Sequence, residues 1–138
     1  MLDYIIRKSD NKIYVSIDNN YLVYDTTFQK YINKILCKRL SNLEALEKTT
    51  KKHFSIKNKV PLLLDKDTLL LCMISYRMQN LTYINYFSIS KYERSKEKIW
   101  IHFYSGHCLK IENVYAFILF DKGVDILNFQ TMSWVKMN

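Results

Sequence analysis

The stretch Thr26-Thr27-Phe28-Gln29-Lys30-Tyr31-Ile32-Asn33-Lys34-Ile35-Leu36-Cys37-Lys38-Arg39-Leu40 is where the chain changes period. Phe28, Tyr31, Ile32, Ile35, Leu36 and Leu40 recur at the three- and four-residue steps of one helix face, while Lys30, Lys34 and Lys38 fall on the other. Thr26 with Gln29 has the spacing of a capping box, and Ser41-Asn42-Leu43-Glu44 has that of a second, whose helix runs to about His53 through Leu43, Leu46 and Thr50. The middle of the chain is therefore read as two helices or one bent helix.

Working outward, both flanks have strand character. Before Thr26, the segments 3–7, 12–17 and 21–24 are rich in Tyr, Ile and Val, and Asp10-Asn11 and Asn19-Asn20 separate them as turn residues. This predicts a β-meander. After Pro61, strands are predicted over 62–64, 69–75, 82–89, 98–104 and 107–111, with Ser105-Gly106 closing a hairpin; a further hairpin is predicted from 114–120 and 125–129 around Asp121-Lys122-Gly123. The fold class that follows is α+β: a mainly antiparallel sheet with one or two helices packed on it.

Length and composition are consistent with one domain over 1–138, in which the helical basic segment 26–54 lies between the N-terminal meander and the C-terminal sheet. Only two glycines and one proline are present, so there is little material for flexible linkers. The apolar runs 61–64, 69–74 and 114–120 fall well short of the roughly 18 to 20 residues of a membrane span. The start, Met1-Leu2-Asp3-Tyr4-Ile5-Ile6-Arg7-Lys8, has no signal-peptide pattern, and a cytoplasmic location without membrane association is expected. Cys37, Cys72 and Cys108 are odd in number and widely spaced, and are read as reduced, buried or half-buried packing residues.

The net charge of +8 is uneven. Residues 30–59 hold nine basic residues, Lys30, Lys34, Lys38, Arg39, Lys48, Lys51, Lys52, Lys57 and Lys59, against Glu44 and Glu47, a local excess of +7. Clustered cations are the footprint of a protein that displaces counterions from nucleic acid; the competing reading is a solvated helix face in a lysine-rich chain. Tyr83, Tyr86, Phe87 and Tyr92 are candidates for a stacking platform for single strands, but ordinary core and cross-strand pairs are the preferred reading.

Catalytic chemistry is poorly represented. There is no GxSxG, no glycine-rich phosphate loop and no paired carboxylate in an apolar setting, so no catalytic residue is named and the protein is read as a non-enzyme without cofactor. His102, His107 and Cys108 match no metal-ligand spacing, and no metal site is assigned.

Three segments carry a resemblance: Cys37-Lys38-Arg39-Leu40-Ser41-Asn42-Leu43-Glu44-Ala45, then Lys59-Val60-Pro61-Leu62-Leu63-Leu64, then Trp100-Ile101-His102-Phe103-Tyr104-Ser105-Gly106. In order and approximate spacing, from about Lys34 to Ile111, they resemble the ComK competence transcription factors, and the chain reads as a short or divergent member of that family. Where the family has Phe-Pro-Thr-x-Ser this chain reads Leu71-Cys72-Met73-Ile74-Ser75, and in place of a Cys-x-Trp strand it reads Thr82-Tyr83-Ile84-Asn85-Tyr86. The resemblance implies a homo-oligomeric activator that binds AT-rich double-stranded DNA chiefly through the minor groove. It also implies RNA polymerase and a Clp protease adaptor as partners.

The residues named for DNA are Arg39, Lys48, Lys51, Lys52, Lys57 and Lys59, with Arg77 beyond the 69–75 strand; their role is phosphate contact, with Arg39 or Arg77 entering a groove. The alternative from another class is a protein-interaction module that pairs with a full-length homologue through its sheet edge. A helix-turn-helix over 28–54 ranks third, because a glycine-centred turn and a polar recognition-helix start are missing. The helix phase is directly testable. Leu36→Asp places a carboxylate on the core face, so loss of the native circular dichroism signal is expected, and a native spectrum would show the phase to be wrong.

Overall fold

The computed structural model describes residues 1–8, 10–54, 61–74, 81–95 and 98–111. Three strands open the chain, β1 (Leu2–Arg7), β2 (Ile13–Ile17) and β3 (Asn20–Tyr24). Helices α1 (Phe28–Leu36) and α2 (Leu43–Phe54) follow, joined through a 3-10 turn at Cys37–Arg39. The strands β4 (Leu62–Asp65), β5 (Thr68–Ile74) and β6 (Leu81–Asn85) come next, then a 3-10 turn at Tyr86–Ser88 and the strands β7 (Ile89–Ser95), β8 (Lys98–Phe103) and β9 (Cys108–Ile111). Among the described residues every pairing is antiparallel, and the class is α+β as the patterning predicts.

The strands form two sheets rather than the one expected. The first has the order β3-β2-β1-β6-β5-β4, and the second β7-β8-β9. The larger sheet is two meanders, β1-β2-β3 and β4-β5-β6, joined along β1 and β6. Its helices connect β3, one edge strand, to β4, the other. A connection between opposite edges has to cross a face of the sheet, over about 24 Å at the usual strand spacing.

That crossing creates the first core. Phe28, Ile32 and Leu36 of α1 and Leu43 of α2 pack on Ile5, Ile13, Val15, Leu62, Leu64, Leu70, Cys72 and Tyr83. Phe28 stacks on Tyr83 with ring centroids 3.9 Å apart, and burial raises the phenol pKa of Tyr83 above its ordinary value. The opposite face is covered by the smaller sheet, whose Ile99, Ile101, Phe103 and Ile111 meet Leu69, Leu71 and Ile84. The run Leu69-Leu70-Leu71-Cys72 is apolar at every position because β5 is buried on both faces: Leu70 and Cys72 serve the helices, Leu69 and Leu71 the second sheet.

The single strand expected over 82–89 is broken at Asn85. This residue is fully buried, and its side chain makes four hydrogen bonds. Its Oδ1 accepts from the Leu69 N–H at 3.0 Å and the Phe87 N–H at 3.2 Å. Its Nδ2 donates to the Leu2 carbonyl at 2.8 Å and the Asp67 carbonyl at 3.0 Å. By accepting from Phe87, two residues on, the side chain starts the 3-10 turn that carries the chain out of the first sheet. Ser88 secures the exit, its hydroxyl donating to the Asn85 carbonyl at 2.9 Å while its own carbonyl accepts from Tyr104 N–H at 3.0 Å. A second tie between the sheets runs from the Ser105 hydroxyl to buried Asp3, 2.5 Å away.

Several local expectations are corrected. The α1 cap is Thr27, which accepts from Lys30 N–H, because Thr26 lies one residue too far upstream; the α2 cap is Asn42, which accepts from Ala45 N–H at 2.8 Å. Leu40 is not in the core but 98% exposed, since α1 has ended before it. Cys72 is buried, whereas Cys37 and Cys108 are exposed, both standing on the solvent side of their elements. The hairpin predicted over 114–129 lies outside the described residues. Asn85→Ala would leave two donors and two acceptors buried without partners, and a loss of about 4 kcal/mol is expected in urea unfolding, where a loss under about 1 kcal/mol would refute the role given to this side chain.

Candidate nucleic-acid interface

The described lysines of the helical segment are exposed, away from the helix rows that pack on the sheet. In α1 the buried row is Phe28, Ile32 and Leu36, each four residues from the next. Lys30, Lys34 and the following Lys38 have the same four-residue step displaced by two positions, about 200° around the helix, and all three are exposed. Each four-residue step rises about 6 Å, so the row spans about 12 Å along the backbone. In α2, Leu43 and Thr50 are buried, while Lys48, Lys51 and Lys52 are exposed on the outward half.

The angle between the helices is set by specific hydrogen bonds. Asn33, from α1, accepts the Leu43 N–H of α2 at 2.7 Å, so one side chain satisfies a donor that the first turn leaves open. Between them the chain reverses at Leu40, with φ of 56°. Ser41 N–H donates to the Leu36 carbonyl at 3.1 Å and Leu40 N–H to the Cys37 carbonyl at 3.0 Å, the hydrogen-bond pair of a Schellman motif. Leucine thus occupies the left-handed position that glycine usually takes.

Of the residues named from sequence, Lys48, Lys51 and Lys52 come together on α2. Arg39 is exposed but engaged: its guanidinium donates to the carbonyls of Leu64 at 2.6 Å and Leu63 at 3.4 Å, holding the helix connection against β4. Lys57, Lys59 and Arg77 lie outside the described residues. Lys30, Lys34 and Lys38 were counted in the basic cluster without being singled out; their signal was the constant step set opposite to the apolar row.

The four aromatic residues read as a possible platform divide: Tyr83 stands apart, while Tyr86, Phe87 and exposed Tyr92 line one pocket with Lys91. Tyr83 is buried beneath α1, whereas Tyr86 and Phe87 are half-buried against the other core, meeting edge-to-face at 6.2 Å. His102 and Cys108 are cross-strand neighbours on the outer face of the small sheet, with His102 Nε2 3.9 Å from a Glu93 carboxylate oxygen. No helix among the described residues is long and apolar enough to cross a membrane.

A family model described as ComK protein matches residues 4–119. The chain belongs to the ComK family. ComK proteins are competence-related transcription factors, not a family of enzymes. No curated protein and no solved structure matches the chain. The ComK match is wider than the 34–111 span legible in the motifs and takes in β1 from Tyr4 onward with all of β2 and β3.

The quoted ComK motifs are largely fold-forming. Ser41 to Glu44 spans the start of α2, and Pro61 immediately precedes β4. Phe103 to Gly106 makes the β8–β9 turn, in which Gly106 N–H donates to the Phe103 carbonyl and Gly106 adopts φ of 98°. Replacing Leu40 by glycine removes the left-handed strain of a side chain that is almost wholly in solvent. Leu40→Gly is expected to stabilise the protein by about 0.5 to 1 kcal/mol, seen as a raised thermal midpoint; a lowered midpoint would show that the leucine has a packing role.

Proposed function

We propose that this protein is a DNA-binding transcriptional regulator of the competence class that docks the outward side of its helix layer on AT-rich double-stranded DNA. The observation that carries the reading is that Lys30, Lys34, Lys38, Lys48, Lys51 and Lys52 are all exposed on the two packed helices and their connection, whose buried rows face the sheet. These six cations are accompanied on the two helices by only Glu44 and Glu47. Membership of a transcription factor family gives the surface its ligand class.

The chemistry required is modest. Ammonium groups on long flexible stems contact phosphates as point charges and release condensed counterions, which supplies affinity without reading bases. AT preference then comes from the narrow, strongly negative minor groove of A-tracts and from the cost of deforming other sequences. Lys57, Lys59 and Arg77 extend the set in sequence, and Arg39 both adds to the potential and anchors the layer to β4. The protein acts in this reading as a homo-oligomeric activator in the cytoplasm.

The test is fluorescence anisotropy of labelled AT-rich and GC-rich duplexes at several salt concentrations, with wild type and a Lys51→Glu/Lys52→Glu variant. Wild type is expected to prefer the AT-rich duplex with a steep salt dependence. The variant should fold normally, bind both duplexes at least about tenfold more weakly, and lower the salt slope by about two. Unchanged affinity in the variant would remove α2 from the interface, and no binding to either duplex would overturn the reading.

A further inference from the structure

We infer that β3 is a self-association edge, through which two copies of this chain pair antiparallel about a two-fold axis to make one continuous sheet. The inference does not depend on DNA binding; it names the surface and register for the self-association included in the proposed function.

The two edges of the large sheet are treated very differently. At β4 the strand is short, Leu62 and Leu64 are buried, the register shifts between Leu63 and Asp65, and Arg39 occupies two of its carbonyls. These are the devices that keep an edge from recruiting another strand. At β3 none of them is present: all five residues are exposed, the pairing to β2 is regular, and the sequence Asn20-Tyr21-Leu22-Val23-Tyr24 has neither charge nor proline. Tyr21 is 51% exposed and Val23 53%. Among the described residues no strand lies beyond β3. The edge strands of the small sheet differ again, β7 carrying Lys91 and Glu93 and β9 being four residues long with Lys110.

The hydrogen-bonding pattern of the free edge follows from the hairpin. Asp18 and Asn19 both have positive φ, 48° and 67°, and form a two-residue turn that makes Ile17 and Asn20 a hydrogen-bonded pair. Alternation along the ladder then directs the N–H and C=O groups of Leu22 toward β2, and those of Tyr21 and Val23 outward. In an antiparallel pairing that sets Leu22 opposite the second copy's Leu22, Tyr21 of each copy faces Val23 of the other. Both outward N–H groups and both outward carbonyls of each strand are then used, giving four hydrogen bonds with no residue out of phase.

Charge selects a second copy as the occupant. Two molecules of net charge +8 repel, and Lys or Arg recurs throughout the chain, but residues 13–29 form its longest stretch without either. That stretch contains Asp18 and Asp25, one at each end of β3, and spans the strand and both its flanks. A second copy approaching along this strand therefore meets no cation on the strand or its flanks, and two carboxylates beside it that offset the net repulsion. The self-paired register also sets Leu22 on Leu22 and Tyr21 on Val23, apolar pairs without like charges opposite each other. Since the axis stands perpendicular to the sheet, both helix layers, with their lysine rows, face the same side of the pair.

The test is sedimentation velocity of the full chain without DNA, from low to high micromolar concentration. Wild type is expected to dimerise. Val23→Pro removes an outward N–H while sparing the ladder to β2, a position at which an edge strand tolerates proline, and it should weaken the dimer about tenfold or more. Leu22→Lys and Leu22→Glu, both at an exposed position, should each be monomeric alone and associate when mixed in equal amounts. In a Cys37→Ser/Cys108→Ser background, Leu22→Cys should form an oxidised dimer readily and Tyr21→Cys should not, because only the Leu22 pair stands directly opposite itself, about 4.5 Å apart at Cα. A wild type that stays monomeric overturns the inference. So does a dimer that survives Val23→Pro, or Lys and Glu variants that do not associate when mixed.

Discussion

Asn85 fills all four hydrogen-bonding positions of its amide from groups on three separate segments, the start of β1, the β4–β5 turn with the start of β5, and the 3-10 turn that follows β6. A buried amide is expensive unless every position is satisfied, and this one is satisfied only when β1, β5 and β6 are in register. The same side chain ends β6 and turns the chain toward the second sheet. The large sheet, the departure to the small one and therefore both cores rest on this arrangement. Ser88 and the Asp3–Ser105 hydrogen bond reinforce it from the side of the small sheet.

With the sheet set, the helix layer has little choice of position. The chain leaves at β3 and re-enters at β4, on opposite edges, so the connection that holds α1 and α2 has to cross one face. The apolar rows of α1 and α2 are consumed by that face, and the lysines are turned to solvent as a consequence. The layer's basic surface is thus a by-product of topology and helix phase together. Asn33, Arg39 and the turn at Leu40 fix the two helices relative to each other and to the sheet.

Much of this was legible in the sequence, and the failures have physical causes. The helices and most strands follow from apolar periodicity, which records burial directly. The second sheet was missed because 82–89 is uniformly strand-like in composition, and the break depends on what Asn85 meets in three dimensions. The strand β7 was missed because its exposed Lys91, Tyr92 and Glu93 lack alternation. Leu40 was counted as core because it continues the α1 spacing, whereas the Schellman turn stops the helix before it. For the candidate interface, the charge cluster was evident, but which cations share a surface required the helix phase, and Arg39 could not be recognised as an edge-holding residue before β4 was placed beside it.

In the proposed complex the helix layer, not either sheet surface, meets DNA. Lysine acetylation footprinting by mass spectrometry, with and without an AT-rich duplex, tests it most directly. Protection of Lys30, Lys34, Lys38, Lys48, Lys51 and Lys52 is expected on DNA binding, while Lys12, Lys66 and Lys91 remain reactive. Protection confined to Lys91, Lys98 and Lys110, on the small sheet, with the helical lysines still reactive, would contradict it.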